Sequence, residues 1–488
     1  MSSEAHKITG ANFVAVFATI ALPMFLAVVD QTIVSTALPS IASNLGGAER
    51  VSWVVVAYLV ATSIAAPVYG QLRDAHGSRR MMLIALAIFI AASVLCAASQ
   101  SIEMLVCARV LQGLGGGGLM TLSQARIGEA IPPRDRARYQ GYLAALIVTS
   151  STFGPVAGGY LTQHFGWQSV FLINLPLGIV AALQAWRIPA TATIGVQTRF
   201  DYQGLVWFIM FIVPLLSALE LVQRSSGANA AWAIILLVIS IGAVCLLVLQ
   251  ERRATRPIFP IALLGRPVIW RSDLLAACHG ATLVSLVTML PLFTHSIMGS
   301  SAAQSGLFLL PLMVGLAIGS TTTGRFISKT GLTTIFPTIG LSVASTILLL
   351  LTFLLSTLGT YHFAALLLCL GLSMGTVMGV VQITVQNAAG TALLGSAAAS
   401  VQLSRSLGAA IGTAIVSAVL FYALARSNFD AARLFASTVQ PATSEAGIAM
   451  TSADRGALMT AFRSAFLTIT VYAVLGIAVA RSIPAKRL

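Results

Sequence analysis

Apolar side chains run through this chain in long blocks with charges at their ends, a pattern with the length of membrane-crossing helices rather than the period of water-facing ones. A helix rising about 1.5 Å per residue needs about 20 apolar residues to cross roughly 30 Å of hydrocarbon. Blocks of that length predict fourteen spans, at residues 13–38, 52–71, 82–99, 103–124, 140–162, 168–187, 202–222, 231–250, 271–294, 304–324, 334–356, 361–382, 397–424 and 460–481. Their ends are defined to within about four residues. The first block is too long, and its end too ordinary, for a cleavable signal, so it is expected to stay as a span. An even number of spans puts both termini on one side.

The polar positions between the blocks are unequal in charge. With the N-terminus inside, the inner loops collect Lys7, Arg73, Arg79, Arg80, Arg126, Arg134, Arg136, Arg138, Arg187, Arg199, Arg252, Arg253, Arg256, Arg266, Arg271, Arg325, Lys329, Arg481, Lys486 and Arg487. The outer loops hold Arg50, Arg224, Arg426, Arg433 and Arg455. Basic loops stay cytoplasmic, so this imbalance of about twenty to five predicts cytoplasmic termini. It also accounts for the net charge of +14, through topology and contact with anionic lipid. A nucleic-acid partner is not expected, because the chain has no solvated basic domain. With 57% hydrophobic and 9% charged residues, a water-soluble fold is excluded. The five cysteines lie in apolar stretches without paired spacing, so neither disulfide nor metal is expected.

A repeat organises the blocks. Gly70 and Gly77 bracket a basic loop after the second span, and Gly324 and Gly331 bracket another, with Arg325 and Lys329, after the tenth. Eight spans separate the two loops, as two six-span halves with two helices between them require. The expected division is an N-terminal six-helix bundle over 1–190, two additional helices over 191–255 and a C-terminal six-helix bundle over 256–488. Repeated halves of this kind build secondary transporters, with a binding site near the midplane.

The loop Gly70-Gln71-Leu72-Arg73-Asp74-Ala75-His76-Gly77-Ser78-Arg79-Arg80 resembles the signature between the second and third spans of the major facilitator superfamily. Asp30-Gln31-Thr32-Ile33-Val34, running to Ala37-Leu38-Pro39, is similar to the first-span motif of its 14-span drug:proton antiporters. Arg109-Val110-Leu111-Gln112-Gly113 resembles the fourth-span motif, and Gly154-Pro155-Val156-Ala157-Gly158-Gly159, with Gly141 upstream, the fifth-span antiporter motif. Further similar landmarks are 167–178, Asp201-Tyr202-Gln203-Gly204 and Arg405-Ser406-Leu407-Gly408. The resemblance covers nearly the whole chain and implies an all-α integral membrane protein of the major facilitator fold. Two positions depart from it: Ser150 replaces an expected glycine, and the second basic loop lacks a counterpart of Asp74. In the family, the loop resembling that around Asp74 latches the halves in the outward-open state. Its acid lies near the start of the helix that here contains Arg405.

Asp30 is the sharpest single signal. It lies roughly 12 Å below the outer surface, where a carboxylate is costly and is by default functional. The plain alternative is a structural ion pair. The family motif adds proton or cation coupling at this acid. Arg109 lies about 9 Å deep in the fourth span, in the same layer, so the two can pair. Competition for Asp30 among a proton, a cationic substrate and Arg109 would then couple their movements, with Gln112 one turn on lining the same cavity. Gly115 to Gly118 lack the following Lys-Ser or Lys-Thr of a phosphate loop and read as close helix packing. Gly141, Gly154, Pro155, Gly158 and Gly159 offer a thin, bent contact for rocking halves. Asp74, Arg79 and Glu129 are expected to form a cytoplasmic charge cluster serving as the latch. His279 suits proton movement, because its charge changes near neutral pH, or else a hydrogen-bonded place in its helix; with Met289, Phe293, Gln382, Gln386 and Asn387 it also suits a roomy substrate cavity, although Met and Phe in spans are usually packing residues. Glu220 falls at the outer end of the seventh span, where it is either solvated or functional. The segment 426–460 reads as an external loop.

These features predict a secondary active multidrug exporter that exchanges protons for lipophilic, often cationic, compounds across a bacterial cytoplasmic membrane by alternating access. It is expected to be monomeric, driven by the proton gradient and without a cofactor; the chain has no ATP-binding loop. An exporter of one metabolite or antibiotic, or a proton-coupled nutrient symporter of the same fold, fits the same residues, with the Gly-Pro motif favouring antiport by resemblance. A lipid-modifying membrane enzyme would need paired histidines or acids, or a nucleophile with its base, near one surface, and the sequence has no such set.

Overall fold

The computed structural model describes residues 10–46, 50–51, 53–189, 200–223, 227–254, 257–258, 261–299, 302–354, 359–426 and 452–484. The apolar blocks fold as fourteen principal helices. The first seven are α1 (Gly10–Leu45), α2 (Trp53–His76), α3 (Ser78–Ala97), α4 (Ile102–Ala130), α5 (Pro133–Phe165), α6 (Asn174–Trp186) and α7 (Tyr202–Gln223). The others are α8 (Gly227–Arg253), α9 (Pro267–Met298), α10 (Leu309–Thr330), α11 (Ile335–Leu354), α12 (Thr360–Ala389), α13 (Leu394–Arg426) and α14 (Ser452–Ser482). Local chemistry sets several boundaries. Ser101 caps α4 by accepting from the Met104 N–H, Glu103 sits in its first turn, and proline opens α5 and α9. Gly77 and Gly331, the second glycines of the repeated loops, adopt φ of 85° and 71°. Each sends its N–H back one turn, to the Arg73 and Ile327 carbonyls, as the helix stops.

Thirteen helices among the described residues are long and apolar enough to cross a membrane. The fourteenth, α10, is diluted by serine, threonine, Arg325 and Lys329 because it packs between α5 and α12 rather than against lipid alone. Three expected spans are corrected. The tenth starts later, since Ala302–Leu307 forms a separate short helix before α10. The sixth is broken after a turn over Ser169–Leu172. The fourteenth starts at Ser452, so the end of the expected external loop is helical; positions 427–451 lie outside the described residues, as do the domain boundaries expected at 190/191 and 255/256.

Packing repeats along the chain. In the first half α1 lies on α5, α2 on α4, and α3 on α4 and α6; in the second, α9 lies on α13, α10 on α12, and α11 on α12 and α14. The second set is the first moved by eight helices, the same step that separates the two glycine-bracketed loops. The halves meet through α2 against α13 and α5 against α10, again related by that step. Helices α7 and α8 pair with each other, and α7 packs against both α2 and α13. α8 leaves Trp232, Ile234, Val238 and Ile241 exposed, as a lipid-facing helix does.

Candidate functional site

Asp30 is wholly buried, and five helices converge on it. Its Oδ2 accepts from Arg109 Nη1 at 2.5 Å, and its Oδ1 accepts from Gln112 Nε2 at 2.7 Å and Asn174 Nδ2 at 2.9 Å. Arg109, 1% exposed, donates further to Gln112 Oε1 at 2.7 Å and, through Nε, to the Val54 backbone carbonyl at 3.1 Å. Its guanidinium stacks 4.1 Å from the centre of the Tyr58 ring, whose hydroxyl donates to Ala27 in α1. Ser93 accepts from both Gln112 and Asn174, and Cys96 donates to Gln112. The carboxylate thus has one formal counter-charge and two amide donors, the set that a buried acid requires. The approach of α4 is made by its glycine run. A Cβ at Gly113 would meet the Tyr58 backbone and Ala61, and one at Gly115 the backbone of Phe89.

Asp30, Arg109 and Gln112 are therefore brought together, but they are sealed. The other residues expected in a substrate cavity are buried elsewhere, except Asn387, which is exposed near the end of α12. His279 faces the Met374 carbonyl at 3.2 Å, Met289 is in the core, and Phe293 packs against Phe363, Phe462 and Phe466. Gln382 is 3% exposed, and Gln386 donates to the Gln124 carbonyl across the contact between halves. None of these residues lines the cavity of about 270 Å³ that opens where α2 and α13 part. That cavity has walls from Gln31, next to Asp30, from Val56 to Ser63 of α2, from Leu216 to Glu220 of α7, from Val284 of α9 and from Arg405 to Thr413 of α13. Sequence reasoning placed the cavity on polar and soft residues of the spans. The fold buries those in helix contacts instead.

At the other end, among the basic loops, Asp74 joins the halves. Its carboxylate accepts from the N–H groups of Gly395 and Ser396 at 2.9 and 3.0 Å and from the Ser396 hydroxyl at 3.0 Å, at the N-terminus of α13. Arg73 pairs with Asp74 at 2.7 Å and with Glu129 at 3.3 Å, and Ser78 and Arg126 also reach Glu129. Arg79 does not join this cluster. It lies over the Trp186 ring at 4.9 Å, so Arg73 occupies the place expected for it. Gly70 lets α2 and α13 touch there, since a Cβ would lie 2.7 Å from the Gly395 carbonyl oxygen. The fifth-span motif divides by position. Gly141 faces Thr321 of α10 across the halves, whereas Gly154 and Gly158 face Thr32, Ile33 and Thr36 of α1 within one half. Pro155 lies inside α5, and Gly159 has open space beside it. Arg405 and Gly408 lie on α13, where Gly408 faces the Ala277 backbone of α9.

The residues that sequence reasoning missed are Tyr58, Ser93, Cys96 and Asn174. Tyr58 and Ser93 sit unremarked in apolar blocks and Cys96 read as one of five packing cysteines; Asn174 carried a signal, as an amide inside the sixth block within the family-like stretch 167–178.

Known proteins resemble this chain in sequence and in fold. Multidrug resistance protein 3 of Bacillus subtilis is 31% identical over 308 residues, covering 63% of this chain and 60% of that protein. Multidrug transporter protein MdtP of the same organism is 32% identical, covering 64% and 58%. An uncharacterised MFS-type transporter of Mycobacterium tuberculosis is 35% identical over 69% of this chain and 49% of that protein. The match thus spans about half to three fifths of these relatives' length. In fold, the proton:xylose symporter XylE superposes with a TM-score of 0.63 over 96% of this chain and 95% of its own, at 13% identity. The human organic anion transporter MFSD10 does so with 0.65, covering 96% and 99% at 15% identity. The sequence profile of the Major Facilitator Superfamily matches residues 20–413. With its paired helical halves and its thirteen membrane-length helices among the described residues, this chain belongs to the Major Facilitator Superfamily, a family of transporters rather than enzymes.

Proposed function

We propose that the chain is a proton-driven exporter of lipophilic small molecules, cations among them, working by antiport across a bacterial cytoplasmic membrane with the arginine-rich loops inside. The observation that carries this proposal is the sealed Asp30–Arg109 pair, a carboxylate held in the membrane interior by one cation and two amides. A proton on Asp30 would discharge the attraction to Arg109, so the protonated and paired states exclude one another. A substrate cation competing for the same carboxylate would be linked to both. In this account the Asp74 contact closes the cytoplasmic side, and the cavity between α2 and α13 faces outward. A proton arriving from outside releases Arg109, the halves rock, Asp74 leaves the α13 N-terminus and the cavity opens inward. Substrate binding there expels the proton. The printed names of the two Bacillus subtilis relatives support the efflux direction.

The test is ethidium uptake into inside-out membrane vesicles with an acidified lumen, comparing the native chain with Asp30→Asn at equal membrane content. Native vesicles should concentrate the dye and lose it on adding a protonophore, and the variant should not concentrate it. Equal uptake by both would remove coupling from Asp30.

A further inference from the structure

Two of the arginines inside the spans are treated differently by the fold. Arg109 is sealed against Asp30, whereas Arg405 is only partly covered and forms part of the cavity wall. Arg405 lies on the fourth turn of α13 (Leu394–Arg426), roughly 16 Å from its start and so near the middle of the bilayer. Its Nε makes one long contact, 3.4 Å to the Gln402 side-chain oxygen, and among the described residues no carboxylate is within ion-pair distance. The titratable group that faces it from α9 is His279, which is engaged by the Met374 carbonyl. An arginine keeps its charge at any physiological pH, and a charge at this depth is costly unless an anion meets it.

The rest of the wall is made for an apolar body: Leu59 and Val60 from α2, Leu216 and Leu219 from α7, with Glu220 at the outer end. Helix α7 contributes Leu216, Leu219 and Glu220 to the wall, which gives the additional helix pair a part in binding. We propose that Arg405 is the anion-recognising residue of this cavity, so that the transporter takes amphipathic acids as well as cations, the acidic group paired with the guanidinium and the ring system held between α2 and α7. This rests on the export proposal for the identity of the cavity as the substrate's. It enlarges that proposal by a second ligand class.

The purified full-length chain in lipid nanodiscs is titrated with dansylglycine and with its methyl ester, reading dansyl fluorescence against protein-free nanodiscs. The native chain should bind the acid at least tenfold more tightly than the ester, as one charge-assisted pair provides. Arg405→Gln should bring that ratio to about one, and Arg405→Lys should keep part of it. A second variant, Leu219→Trp, fills the cavity without touching a charge and should weaken both probes together. Equal binding of the two probes by the native chain, binding of neither, an unchanged ratio in Arg405→Gln or undiminished binding in Leu219→Trp would overturn the proposal. No proton gradient is present in this titration, so failure of proton-driven export in vesicles and failure of anion recognition are read separately.

Discussion

Asp30 and Arg109 hold one another in a place where neither would be tolerated alone. Breaking a buried pair by removing one partner typically costs about 3–5 kcal/mol, because the remaining charge keeps its desolvation penalty. Arg109→Leu should therefore lower the thermal unfolding temperature of the purified chain sharply, and the double variant Asp30→Asn/Arg109→Leu should recover part of that loss. A double variant no more stable than Arg109→Leu would mean that the two side chains are not coupled in the folded protein. The pair was legible in the sequence because charges inside apolar blocks are rare and both lay in one layer of the membrane. Ser93 and Cys96 were not, since small or weakly polar residues in a span carry no mark until α3 and α4 are brought together, and Asn174 showed only as one amide inside the sixth block. The misplaced cavity has the same origin: Gln386 reads as a cavity polar residue, yet it is consumed by a backbone carbonyl on α4.

Where α2 crosses α13, one element is held on another by a glycine and an aspartate. A Cβ at Gly70 would press on the Gly395 backbone, which has no flexible end to yield. Gly70→Val should push the helices apart and cut transport at least tenfold while leaving helical content by circular dichroism unchanged; normal transport would show that this crossing is not needed. Asp74→Ala removes three hydrogen bonds to the start of α13. Spin labels placed on α2 and α13 at that end should report a longer or broader distance distribution than in the native chain, and an unaltered distribution would exclude a latch there. At this scale the spans were largely legible, because twenty apolar residues fix a helix irrespective of its neighbours. The shifted start of α10 was not, since residues 302–307 are as compatible with a helix end as with a separate turn. Arg79 was assigned to the cluster by motif; its neighbour Arg73 faces Glu129 because it sits on the inner side of α2, while Arg79 turns toward Trp186 of α6.

Two halves related by a step of eight helices meet through two equivalent contacts, closed among the basic loops and parted around a cavity at the opposite end. The repeat was visible in four glycines, and the fold adds what they could not carry, namely that α7 completes the cavity wall. The whole account turns on whether substrate and proton exclude each other through Asp30. The most direct measurement is proton release by the purified chain in weakly buffered detergent solution, read with a pH indicator as ethidium is added. The native chain should release about one proton per ethidium bound, and Asp30→Asn should bind the dye with no release. Binding without release by the native chain, or equal release by both, would contradict it.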